Sequence, residues 1–416
     1  MPAVFTLLID SFLAITALGI AAVFLTAFLS AVPVKYNLKS VYIRWRSTLA
    51  TVVGIGLVVL VFVLLQSLAV GIEKSNASTG DPRNILIARK GATAESSSLV
   101  TRAQLRTLQY FEEIERNAEG DPVISADVLV LASLPRIGPS GEANVLLRGV
   151  TARGMELRPQ VQLVAGRWFS PGRREIVVSR KLAGRFANFK VGDSFKTGPA
   201  LLTVVGWLDG AGSAYDSECW MDADESRSLF EREMYSTFLV RPKNPEAATN
   251  LIRRIENDKR LQLRAESETG YYRKQTLTAA PIKWLAGFLA LTMSIGAVFA
   301  AMNTMYAAVG ARTREIGTLR VLGFHRRNVI VTFLLEGILL AMLGGALGCL
   351  ISLKWNGYTT ATLSIESFSE TVFAFTITPV LVGQGMFFAA ALGFWGTLLP
   401  AVRAARLPII SALKSL

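Results

Sequence analysis

Histidine is almost missing from this chain: His325 is the only one in 416 residues. A single imidazole excludes H-E-x-x-H and every multi-histidine metal site. His325 lies in a basic stretch with no nucleophile beside it, so it reads as a polar residue at a helix end and not as a catalytic base. Cysteine is nearly as scarce. Cys219 falls in a polar region and Cys349 inside an apolar run, an arrangement that argues against a disulfide between them. No Lys or Arg precedes Lys35, which argues against the basic leader of a secretory signal peptide. No G-x-x-x-x-G-K-[ST] occurs, so the chain carries no Walker-type phosphate cradle of its own.

What it has in abundance is apolar sequence: 51% hydrophobic residues and a mean hydropathy of +0.40, the profile of a membrane protein. The net charge of +13 would suit a nucleic-acid binder if it were spread over a soluble domain, but its placement points elsewhere. Residues 72–281 hold 30 Lys and Arg against 26 Asp and Glu, and the remainder holds 14 against 5. Twelve of those 14 cations, among them Arg312, Arg314, Arg320, Arg326 and Arg403, fall in three short stretches beside apolar runs. That is the signature of cytoplasmic loops next to membrane helices, and no nucleic-acid partner is expected.

A helix needs about 20 apolar residues to cross the hydrocarbon core. Segments near 48–71, 283–309, 329–353 and 379–401 meet this length, and 11–32 is a fifth, with Asp10 at its outer end. Placing the basic stretches inside fixes the orientation: amino terminus out, 33–47 in, 72–281 out, 310–328 in, 354–378 out, carboxyl terminus in. The expected fold class is therefore an α-helical integral membrane domain, four core helices plus an extra amino-terminal one, carrying a large extracytoplasmic domain. The boundaries are 1–32 for the extra helix, 33–71 for an amphipathic helix and the first core span, 72–281 for the external domain, and 282–416 for three core spans with the loop 310–328 and a basic tail.

Within the insert, "NILIA" (84–88), "DVLVLAS" (127–133), "NVLLRGV" (144–150), "EIVVS" (175–179), "LLTVVGW" (201–207) and "STFLV" (236–240) read as strands. Residues 101–117, 179–189, 222–233 and 245–259 have apolar positions three or four apart and read as helices. The result is a mixed α+β domain. Its acidic stretch "YDSECWMDADE" (215–225) reads as a solvated face. Intramembrane polar groups mark the other places to look: Asn303, and Glu336, which is placed to pair with an Arg at the cytoplasmic side. Gly344, Gly345 and Gly348 permit close helix approach, within the bundle or at a dimer seam.

In the loop, Ile316 and Leu319 share one helical face while Arg312, Arg314 and Arg320 crowd the others. The stretch "RTREIGTLRVLGFHRRNVIVTFLLEGILLAMLGGALG" (312–348) resembles the carboxyl-terminal core of ABC transporter permeases of the FtsX/MacB/LolC type. "LPAVRAARLPIISAL" (399–413) is similar to that family's tail. "YNLKSVYIRWRSTLATVVGIGL" (36–57) is similar to its amphipathic helix leading into the first family span, and "VAGRWFSPGRREIVVSRKLAGRF" to its exported domain. The segment before residue 33 departs from the usual four-helix members.

The resemblance implies a non-catalytic permease subunit of a bacterial inner membrane, working as a pair with two copies of a separate ATPase. ATP and Mg would sit on the ATPase, and this chain would carry no cofactor. Arg312, Arg314, Glu315, Ile316, Leu319 and Arg320 would form the docking helix for that ATPase. Membrane lipids and a periplasmic adaptor are the other implied partners. Two outputs stay open from the residues: export, extrusion or lipoprotein handling by mechanotransmission, or a membrane-anchored regulator whose external domain activates an envelope enzyme.

Overall fold

The structure is a computed structural model that describes residues 2–29, 45–138, 141–198, 200–275, 280–363 and 368–407. The amphipathic helix expected at 33–44 and the end of the family-like tail, 408–413, lie outside the described residues. In chain order the helices are α1 (Pro2–Leu29), α2 (Trp45–Ala77), α3 (Arg102–Gln109), α4 (Ala152–Glu156), α5 (Arg180–Ala183), α6 (Ala223–Leu229), α7 (Pro245–Asn257), α8 (Glu268–Gln275), α9 (Ala280–Ala311), α10 (Thr313–Val321), α11 (Arg326–Ser352) and α12 (Pro379–Ala405). The strands are β1 (Ile85–Arg89), β2 (Ile124–Pro135), β3 (Glu142–Val150), β4 (Gln162–Gly166), β5 (Glu175–Ser179), β6 (Ser194–Thr197), β7 (Ala200–Asp209), β8 (Glu218–Asp222), β9 (Thr237–Val240), β10 (Leu263–Ser267), β11 (Thr359–Leu363) and β12 (Glu370–Ala374).

The chain divides into two compact units. The first comprises residues 1–68, 282–356 and 376–416, the second 69–281 and 357–375. Among the described residues, five helices are long and apolar enough to cross a membrane: α1, α2, α9, α11 and α12. Their outward faces stay apolar, as at Phe28, Leu57, Phe288 and Phe299, because lipid and not water is the solvent such a face requires. In the first unit α11 and α12 lie side by side and glycines set how closely the backbones come. A Cβ on Gly345 would stand 2.5 Å from Ala389 Cβ, and one on Gly344 would stand 2.6 Å from the Val52 carbonyl oxygen of α2. The amino-terminal α1 is docked on α12, with Phe12 stacked on Trp395 at 5.5 Å between centroids and Trp395 Nε1 donating to Thr16 Oγ1 at 3.2 Å.

The second unit is built on one ten-stranded mixed sheet in the order β10-β1-β9-β2-β3-β8-β5-β7-β4, with β6 paired to β7. The long β2 joins two lobes by changing partner along its length: Ile124–Asp127 pair with β9, and Val128–Pro135 pair with β3. One lobe has a core of Ile87, Leu108, Ile114, Phe238, Leu251 and Ile255 under α3 and α7. The other is centred on Val130, Leu147, Val178, Phe186, Leu202 and Met221. Parallel pairing of β3 with β8 and of β5 with β7 requires long connections, and these supply the short helices at the sheet ends.

Several expectations need correction. The helix read over 101–117 stops at Gln109. Thr101 caps it, with Gln104 N donating to Thr101 Oγ1 at 3.2 Å and Thr101 N to Gln104 Oε1 at 2.7 Å. The apolar Phe111 and Ile114 then enter the core from irregular chain, where Ile114 bridges to Pro242; their spacing fits a helix face but is satisfied without one. The helix read over 179–189 is only Arg180–Ala183, followed by Gly184 and by Asn188 at φ +59°. Residues 354–378, placed outside between the last two spans with no element assigned, contribute a β11–β12 hairpin that belongs to the second unit.

Candidate functional site: the loop helix and the buried ionic network

The loop helix α10 is held by its first residues. Arg312 precedes it and is 6% exposed, turned inward on Glu336 of α11, itself 4% exposed. The contact is bidentate, Nη1 to Oε2 at 3.0 Å and Nη2 to Oε1 at 3.1 Å. Two charges removed from water together need this geometry, since either one alone would be costly to bury. Four residues on, Ile316 is buried among Val329, Phe333, Ala401 and Ala404. Leu319 and Arg320 are half-buried, and Arg320 Nη1 reaches the Phe324 carbonyl at 3.4 Å. A cavity of about 30 Å³ lies beside Leu319, between Phe324 and Phe333. Gly323, at φ +94°, ends the helical path in a conformation open to glycine, and His325 precedes α11 without capping it through its side chain.

Arg312 and Ile316 are therefore turned into the first unit, although the sequence places Arg312 among the charges around an apolar anchor of Ile316 and Leu319. The helical period put Ile316 and Leu319 on one face, and the bundle's own core occupies that face. The groups left outside are Arg314, Glu315, Val321 and Leu322, the last two 60% and 70% exposed. Of the intramembrane groups, Asn303 lies exposed on α9. Gly344 and Gly348 are turned on α2, where a Cβ at Gly348 would meet the Gly56 carbonyl oxygen, and Gly345 is turned on α12. All three close approaches are made within one chain.

A second concentration of charge sits inside the extramembrane unit, where β2 changes partner. Arg148 of β3, 1% exposed, donates to Glu218 (Nε to Oε2 2.7 Å, Nη2 to Oε1 2.8 Å), to Glu95 (Nη1 to Oε2 3.0 Å) and to Asp127 (Nη1 to Oδ2 3.2 Å). Arg158 is bonded to Asp127 and, through Nε, to the Tyr215 hydroxyl at 3.1 Å. Tyr272 donates to Glu95 Oε1 at 2.8 Å, Tyr215 to Glu268 Oε1 at 2.8 Å, and Trp220 Nε1 to Glu218 Oε2 at 2.9 Å. Burial pushes the Glu95 and Asp127 carboxyls up, but the guanidiniums of Arg148 and Arg158 outweigh it and hold both below the usual carboxylate range. Burial together with the neighbouring Glu268 and Glu95 carboxylates pushes the Tyr215 and Tyr272 hydroxyls up, so both stay proton donors.

The first part of the acidic stretch 215–225 is not the solvated face expected of it, whereas Asp224 within it is exposed. Asp216 and Glu218 are buried because Lys181 and Arg148, the cations that pair with them, lie far away in the sequence and are invisible in a local window, while Trp220 of the same strand donates to Glu218. The only local signal was the alternation of acidic and large apolar residues in "DSECWMD", which fits strand β8. Among the described residues, no group of three or more His, Cys, Asp and Glu side chains is arranged to hold a metal ion.

Long apolar helices, a large mixed-sheet domain inserted between the second and third of them, and a charged helix between the third and fourth define a membrane permease subunit with an extramembrane domain. Residues 47–258, just over half of the chain, match the MacB-like periplasmic core domain, and residues 287–409 match the FtsX-like permease carboxyl-terminal domain. The chain belongs to the MacB/FtsX family of ABC transporter permeases.

Curated relatives include the macrolide export ATP-binding/permease protein MacB of Azoarcus sp. (strain BH72), 32% identical over 30% of this chain and 18% of the relative. The pyoverdine export ATP-binding/permease protein PvdT of Pseudomonas savastanoi pv. phaseolicola is 31% identical over 44% of this chain and 27% of the relative. The uncharacterized ABC transporter permease YvrN of Bacillus subtilis is 37% identical over 27% of this chain and 26% of the relative. The chain thus spans about a fifth to a quarter of the length of the curated relatives it matches. Among solved structures, the periplasmic region of MacB from Actinobacillus actinomycetemcomitans is 12% identical, with 48% of this chain and 94% of that one covered at a TM-score of 0.36.

Proposed function

We propose that this chain is the non-catalytic permease subunit of an ABC transporter in a bacterial inner membrane. Two copies assemble with two copies of a separate ATPase, which holds ATP and Mg. Hydrolysis there is converted into a conformational change of the external domain, and this drives export, extrusion or lipoprotein handling, with a periplasmic adaptor as a further partner. The observation that carries this reading is the construction of α10. It is anchored rigidly by Arg312–Glu336 and Ile316, while Arg314, Glu315, Val321 and Leu322 project from it. A charged and apolar surface on a firmly held helix suits transmission of a push, because force applied to it reaches α11 and α12 without first unfolding the loop.

Reconstitution tests the proposal. The purified chain alone should turn over no ATP, since it has no phosphate-binding loop of its own, and the ATPase that copurifies with it in mild detergent should be stimulated by it in lipid. Robust turnover by a preparation free of other polypeptides, or the absence of any copurifying ATPase, would overturn the reading.

A further inference from the structure

Four consecutive residues in the extramembrane unit make four different ties. They form the 3-10 turn Ala214–Ser217 that leads into β8, a central strand of the sheet. Ala214 N donates to Thr79 Oγ1 at 2.7 Å, and Thr79 Oγ1 in turn donates to the Ser75 carbonyl of α2 at 2.7 Å. The Tyr215 hydroxyl donates to Glu268, the first residue of α8, at 2.8 Å. Asp216 is fixed to the body of the domain by Lys181 Nζ at 2.5 Å and by the backbone N–H groups of Gly210 and Gly212 at 2.7 and 2.9 Å. The Ser217 hydroxyl accepts from Val372 N at 2.8 Å and donates to Val372 O at 3.4 Å, taking hold of the β11–β12 hairpin.

Three of these ties reach the three routes by which the polypeptide passes between this unit and the long apolar helices. Thr79 follows α2 by two residues. Glu268 opens the helix that precedes α9. Val372 lies in the hairpin between α11 and α12. The first two routes are also fastened to each other: Asp81 N donates to Glu268 Oε2 at 2.8 Å and Glu268 N to the Asn84 carbonyl at 3.0 Å. The hairpin is clasped separately, with Glu370 accepting from Arg136 Nη2 at 2.6 Å and Arg185 Nε at 2.7 Å. Thr79, Glu268 and Val372, the partners on the three routes, are all buried, so these bonds compete little with water and are costly to leave unmade.

Resting on the permease reading above, we propose that the turn Ala214–Ser217 is the node at which displacements of the spans are collected and passed to the sheet. A turn bonded to only one route would follow that route alone. One bonded to all three responds to their relative movement, and its covalent continuation is β8, hydrogen-bonded to β3 and β5 on its two sides. Thr79, Tyr215 and Ser217 act here as positioning residues, since none of them meets nucleotide.

The test uses the full chain in lipid with its copurifying ATPase. Spin labels go on Tyr110→Cys in one lobe and Leu201→Cys in the other; both positions are exposed, while the native Cys219 and Cys349 are buried. The inter-label distance is compared with ADP and with ATP plus vanadate, alongside ATP turnover and melting temperature. Thr79→Val and Ser217→Ala should leave turnover close to wild type and diminish the nucleotide-dependent distance change by roughly two-fold or more, the scale of coupling that connecting residues carry. Thr79→Ser, which keeps the hydroxyl, should restore it. If Thr79→Val and Ser217→Ala lower the melting temperature but keep the full distance change, the turn is structural only and the proposal fails. Absence of any distance change in the wild-type complex would instead overturn the permease reading on which it rests.

Discussion

Arg312 and Glu336 face each other across 24 positions of sequence as a buried bidentate pair, 3.0 and 3.1 Å apart, joining the start of α10 to the third turn of α11. Removing one partner deprives the other of its bidentate ion pair, so Arg312→Met or Glu336→Leu alone should cost roughly 3–5 kcal/mol. Arg312→Met combined with Glu336→Leu should recover most of that loss. Thermal unfolding of the four proteins in detergent checks this as a double-mutant cycle. Equal, additive losses would show that the pair carries no coupling.

The same geometry separates stability from docking. Arg314→Glu with Leu322→Asp alters only exposed positions, one in α10 and one immediately after it, and should change folding stability by no more than about 0.5 kcal/mol per substitution. It should nonetheless weaken copurification of the ATPase or its stimulation, because charged and apolar contacts at a docking surface govern association strongly. Wild-type association and stimulation in this variant would remove the docking role from the helix.

Gly344 tests whether the glycines serve the single chain. A Cβ there would stand 2.6 Å from the Val52 carbonyl oxygen and 3.1 Å from Ile55 Cβ, so Gly344→Val should force α2 and α11 apart and destabilise by about 1–3 kcal/mol. The loss should appear in monomeric, detergent-diluted protein as well as in the assembled complex. A loss confined to the assembled form would place the glycine at an interface between copies.

The parts of this protein legible from its sequence are those decided by runs of one kind of residue. Long apolar segments dictate helices in lipid, and the β-branched runs of β2, β3, β5 and β7 announce the sheet. Glu336 was readable as a paired residue because a carboxylate inside an apolar run demands a cation. The burial of Ile316 was not readable, since an amphipathic face does not say whether the chain itself or a partner covers it. Nor was the burial of Asp216 and Glu218, whose compensating Lys181 and Arg148 lie 35 and 70 residues away. The β11–β12 hairpin escaped because "TTATL" and "ETVFA" are short and weakly patterned, and what orders them is the clasp of Glu370 by Arg136 and Arg185 and the seating of Val372 in a distant core.

The buried network gives a prediction with a definite pH sign. Glu95 and Asp127 are held below the usual carboxylate range by Arg148 and Arg158 even though burial acts in the opposite direction. Their contribution is therefore fully present above the ordinary carboxylate pKa of about 4 and is lost as pH falls through the depressed folded-state values. Unfolding of the full chain, followed through its tryptophan fluorescence, to which the buried Trp220 beside Arg158 contributes, should show stability falling with acidification below about pH 4. Arg148→Met should cost roughly 3–5 kcal/mol at neutral pH by leaving Glu95 and Glu218 without their principal cation. It should also lessen the acid sensitivity, because Glu95 loses a cation that holds its carboxyl below the usual range. An Arg148→Met protein with wild-type stability and a wild-type acid profile would show that these carboxylates are not held by Arg148.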